Sequence, residues 1–72
     1  MTDTYSEEYR HRCEVITVLR WRAANNRQAC YKHFDAVEEQ RGRQARRRLE
    51  ADVLEQWALG NRGQGPEDWR NG

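Results

Sequence analysis

The sequence predicts an all-α fold, a small three-helix domain, on three observations. Apolar residues recur at three- and four-residue steps through three successive segments. Cap-forming and helix-stopping residues separate those segments. The single β-branched run, Val15 to Val18, has no partner strand elsewhere in the chain. The expected organisation is a helical domain over 1–59 with a flexible N-terminus, followed by a flexible, disordered C-terminal tail over 60–72.

The first helix follows a loose Met1 to Asp3. Thr4 with Glu7 fits the capping box, in which hydroxyl and carboxylate satisfy exposed amide donors, and Ser6 is an equally good cap. From Glu7 to about Arg22, Tyr9, Cys13, Ile16 and Leu19 follow helical spacing. Glu7 and Glu8 lie in the first turn and Arg20 and Arg22 near the last, each favoured there by the helix dipole.

Ala23 to Asn26 form the connection, with Asn25 or Asn26 available to cap the second helix, Arg27 to Gln40. Its inner face is Cys30, Phe34 and Val37, and Gly42 ends it by taking a left-handed conformation. The third helix begins near Gly42 or Arg43 and ends near Leu59, on a stripe of Ala45, Leu49, Val53 and Trp57. Arg43, Arg46, Arg47 and Arg48 crowd its N-terminal end, where the dipole disfavours cations; Glu50, Asp52 and Glu55 partly offset them. The tail, GNRGQGPEDWRNG, holds four of the five Gly and the only Pro without periodicity. Its Trp69 either folds back on the helices or anchors a partner.

Composition narrows the function. A chain of 72 residues has little room for an enclosed active site, and a core of this size rarely supplies more than about 3 to 5 kcal/mol. Hydrophobic residues make up 36% and charged residues 35%, with mean hydropathy −1.28. Folding is nevertheless favoured by three Trp, three Tyr and one Phe. Formal net charge is +1, which gives weak long-range steering toward nucleic acid, but twelve of the thirteen basic residues are Arg. Arg binds carboxylate or phosphate through a planar fork and stays charged when desolvated, which suits an interface. No apolar run is long enough to span a bilayer, and MTDTYSEE is acidic where a secretory signal is basic, so a soluble cytoplasmic protein without membrane contact is expected.

Three constellations carry chemistry. His11, Cys13, Cys30 and His33 have the donor types of a structural zinc site. Residues 11 and 13, two apart on a helix, point to nearly opposite sides, so the two Cys are expected as small apolar residues and no cofactor is implied. Cys with His also resembles a nucleophile and base, but no orienting third group or oxyanion loop accompanies them, so neither an enzyme nor a small-molecule substrate is expected. The third is a basic surface: Arg10, Arg20, Trp21, Arg22, Arg43, Arg46, Arg47, Arg48 and Trp69 are the expected partner-binding residues, Trp21 or Trp69 supplying the apolar anchor.

The order Tyr9-Arg10, Cys13-Glu14-Val15, Val18-Leu19-Arg20, then Arg41-Gly42, Ala45, Arg48-Leu49, Asp52 and Trp57 resembles small Arg-rich phage proteins that regulate host bacterial RNA polymerase, of the kind made by lytic phages of Xanthomonas. That resemblance spans Tyr9 to Trp57. It implies a protein that binds the N-terminal region of the polymerase β′ subunit, inhibits initiation and suppresses termination, any contact with nucleic acid being indirect. The alternative from a different class is a small Arg-rich nucleic-acid-binding module, in which the same Arg residues contact phosphates.

Overall fold

A computed structural model describes residues 7–71 of the chain. It contains α1 (Glu7–Ala23), α2 (Arg27–Arg41) and α3 (Arg43–Ala58), followed by a short 3-10 turn at Pro66–Asp68. The three expected helices are present within a residue or two of their expected ends. The Thr4 and Ser6 caps and the loose N-terminus lie outside the described residues.

The buried residues of α1 are Val15, Ile16, Val18 and Leu19, a wider arc than one stripe. Tyr9, expected on the inner face, is exposed, and Cys13 is only half-buried. The reason is that α1 is covered on more than one side, packing against α2, α3 and the 3-10 turn. This places the β-branched run comfortably inside a helix, because its side chains find neighbours around most of the circumference. Thr17, the exposed member, turns its hydroxyl onto the Cys13 carbonyl at 3.0 Å.

Between α1 and α2, Asn25 takes a positive φ of 61° and Asn26 is the cap, its side-chain oxygen accepting from the Ala29 amide at 3.3 Å. One residue, Gly42, joins α2 to α3. Its φ of 96° with ψ of 170° lies in a region open essentially only to glycine. It therefore ends α2 by an extended kink in place of the expected left-handed turn, and its N–H still reaches the Glu38 carbonyl at 2.9 Å.

The core is Val15, Ile16, Val18, Leu19, Cys30, Phe34, Val37, Leu49 and Val53, with Trp21, Ala45, Trp57 and Trp69 packed against it. Each fully buried aliphatic or aromatic side chain contributes roughly 1.5 to 3 kcal/mol. The expected α3 stripe is present with one addition, Gln56, which is 2% exposed.

Gln56 explains the largest difference from expectation. Residues 60–71 are not a disordered tail but a segment folded back on the helices. Gln56 Oε1 accepts from Asn61 Nδ2 at 2.9 Å and from the Arg70 amide at 3.0 Å, and its Nε2 donates to the Arg70 carbonyl at 2.7 Å. Asn61 is fully buried; Nδ2 also donates to the Asp68 carbonyl, and Oδ1 accepts from the Gly63 amide at 2.9 Å. Two buried amides thus supply the partners that an aperiodic backbone otherwise lacks. Gly63, at φ 84°, lies so close to α1 that a Cβ there would stand 2.6 Å from the Arg20 nitrogen and 2.7 Å from the Ile16 carbonyl oxygen.

Candidate partner-binding surface

The expected basic surface is divided by the fold. Arg46 is the most constrained of its members. Its Nη1 donates to Asp35 and to Glu38, both at 2.8 Å, and its Nε approaches Glu50 at 3.4 Å. With its side chain 25% exposed and its charge shared among three carboxylates, Arg46 ties α3 to α2. Arg43, more exposed, lies 4.0 Å from Glu38.

Arg20 is held by the C-terminal segment, Nε donating to the Gly63 carbonyl at 3.0 Å. Arg22 stacks on Trp57, its guanidinium carbon 4.8 Å from the ring centroid, and Arg62 covers the same ring at 3.8 Å. The two expected anchors are half-buried within the molecule. Trp21 packs on the core and meets His33 edge-on at 5.7 Å, while Trp69 packs on the core beneath Arg12. Trp69 has therefore folded back, and neither indole presents a free apolar face of the kind an anchor needs.

Arg10, Arg47 and Arg48 remain exposed and form no ion pair among the described residues. Arg10 and Arg48 line one open groove of about 420 Å³ together with Glu7, His11, Glu14 and Arg41. Much of the negative charge in that groove is matched internally. Glu14 accepts from His33 at 2.6 Å and from Arg41 through both oxygens. Burial alone would raise the Glu14 carboxyl, but the Arg41 and His33 side chains bonded to it hold it below the ordinary carboxylate value. His11 pairs with Asp52 on α3.

The candidate zinc donors go to separate partners. His11 faces Asp52, His33 faces Glu14, and Cys30 Sγ lies 3.6 Å from the Val18 carbonyl. Among the described residues, no group of three or more His, Cys, Asp or Glu is placed to hold a metal ion. Both cysteines are free, and burial pushes the Cys30 thiol up despite the Arg22 charge nearby. No helix among the described residues is long and apolar enough to cross a membrane.

Two residues that the sequence left unremarked stand out: Tyr31 and Leu54 are 59% and 54% exposed. Their signal is positional, since each is a large apolar residue lying off the stripe of its own helix.

No curated protein and no solved structure matches this chain. One family model does, over residues 2–60, and the chain belongs to that family, a family of unknown function (DUF7696).

Proposed function

We propose that the chain acts by binding, not by chemistry, as a stoichiometric module that docks on an acidic surface of a larger protein in the bacterial cytoplasm. The observation that carries this reading is the set of exposed guanidinium groups without a carboxylate partner among the described residues, Arg10, Arg47 and Arg48, beside a network that neutralises their neighbours. A fold this small, with limited stability to spare, gains nothing internally from unpaired cations near a helix N-terminus. Such groups suit charge-assisted pairing with carboxylates across an interface.

The partner is host RNA polymerase, at the N-terminal region of β′, and occupancy there blocks initiation and suppresses termination. Support for that choice comes from the resemblance over Tyr9 to Trp57. Arg46 is left out of the contact set because its charge is spent within the fold.

The test is a pull-down from nuclease-treated bacterial lysate with the tagged chain and with an Arg47→Glu, Arg48→Glu variant. Retention of polymerase by the first and its loss by the second is the expected result. Loss of all signal on nuclease treatment, with binding that falls steeply with log salt, selects the nucleic-acid-binding alternative instead.

A further inference from the structure

We infer a second docking surface, on the opposite flank of α3 from Arg48: a groove between α2 and α3 that receives the apolar side chains of an acidic amphipathic helix. Two adjoining hollows of about 210 and 290 Å³ share Arg22, Tyr31, Phe34 and Val53. Cys30 deepens one, Leu54 closes the other, and Arg27 stands at the rim. Phe34 and Val53 form a buried floor, while Tyr31 and Leu54 are the exposed walls. Each hollow lies at or below the roughly 300 Å³ at which pockets for drug-sized ligands begin, so single side chains fit better than a small molecule. An exposed aromatic and an aliphatic residue bracketing a preformed floor, with Arg at the edge, is how the centre of a protein interface is built.

Charge selects the occupant. Arg22 stacks on Trp57, and among the described residues neither Arg22 nor Arg27 forms an ion pair. The carboxylate on the groove, Glu50, lies 3.4 Å from Arg46, which it shares with Asp35 and Glu38. The lining therefore carries two arginines without an ion pair among the described residues against one glutamate, Glu50, that has only a share of a cation. An acidic helix with apolar residues at i and i+4 meets both the floor and the two lining arginines. This inference rests on the reading of the chain as a binding module, but uses residues separate from Arg10, Arg47 and Arg48.

The experiment uses the full chain and two fluorescein-labelled helical peptides with the same Leu pattern at i and i+4, one in a Glu-rich and one in a Lys-rich background. Fluorescence anisotropy should show the Glu-rich peptide binding and the Lys-rich peptide at least about tenfold weaker. Leu54→Ala and Tyr31→Ala, both at exposed positions, should each weaken the Glu-rich peptide by about tenfold. Arg27→Glu should reverse the preference between peptides. Equal binding of both peptides, binding of neither, or wild-type affinity in all three variants overturns the inference. So does a dimer in sedimentation equilibrium that Leu54→Ala dissociates, since the occupant is then a second copy. Polymerase retained in pull-down while neither peptide binds removes this groove alone; peptide binding without polymerase retention removes only the choice of polymerase.

Discussion

The stretch from Arg41 to Arg48 and the segment from Gly60 to Asn71 exchange roles between sequence and structure. The first is the densest run of positive charge in the chain and looks like an exposed binding face. Much of that charge is spent internally, with Arg41 bound to Glu14 of α1 and Arg46 bound to Asp35 and Glu38 of α2. The second, rich in Gly and aperiodic, looks unstructured, yet Asn61 within it is fully buried and its backbone is bonded to Gln56 of α3. Charge density reports where ions are, not whether they are already matched. Absence of periodicity reports that a segment is neither helix nor strand, not that it lacks a structure fixed by side-chain amides.

The comparison can be broken most severely at Gly63. Gly63→Val places a branched side chain against the α1 backbone at a positive φ, and the C-terminal segment must lift from α1. The expected loss is about 3 kcal/mol, read as a lower urea midpoint. An unchanged midpoint means that the segment adds nothing to the fold. Asn61→Ala comes next: it strips donors from Gln56 Oε1 and the Asp68 carbonyl and an acceptor from the Gly63 amide, at a cost of about 2 kcal/mol.

The arginine-rich stretch gives smaller effects. Because the folded Glu14 carboxyl titrates below its ordinary value of 4.5, its stabilising contribution is complete above that pH and is lost as pH falls through the folded value. Glu14→Gln should cost about 1 kcal/mol at neutral pH, a discounted figure because Arg41 is half-exposed to solvent. The variant should also flatten the acid limb of the stability profile below about pH 4.5. Identical acid limbs in the two proteins contradict this. At the bottom of the scale, Arg47→Glu should stay within about 0.5 kcal/mol of the parent in chemical denaturation, because the exposed Arg47 side chain has no ion-pair partner among the described residues. Arg46→Ala, one residue away, should lower Tm measurably by removing the cation that Asp35, Glu38 and Glu50 share. Equal Tm values for the two variants erase the distinction between structural and free arginines.

Helix-level structure was legible because it depends on local pattern. Cys30, Phe34 and Val37 mark the inner face of α2, Leu49 and Val53 that of α3, and each of these is buried. The Asn25-Asn26 pair and Gly42 mark the joints, with the structure deciding that Asn26 caps while Asn25 takes the positive φ. What stayed hidden was set by contacts between distant residues. Local spacing pairs Arg46 with Glu50 four residues on, but its contacts with Asp35 and Glu38, eleven and eight residues away, depend on how α2 meets α3. Tyr9 satisfies the α1 period and is nevertheless exposed. Gln56 reads as a solvent-facing polar residue until Asn61 and Arg70 meet it across intervals of five and fourteen residues.

Amide hydrogen exchange of the full chain, read residue by residue by NMR, tests the folded C-terminal segment most directly. The account predicts that the amides of Asn61, Gly63 and Arg70, which donate to the Gln56 carbonyl, Asn61 Oδ1 and Gln56 Oε1, exchange far more slowly than those of an unstructured chain. Exchange of all three at the unstructured rate, beside protected amides in α1 to α3, would contradict it.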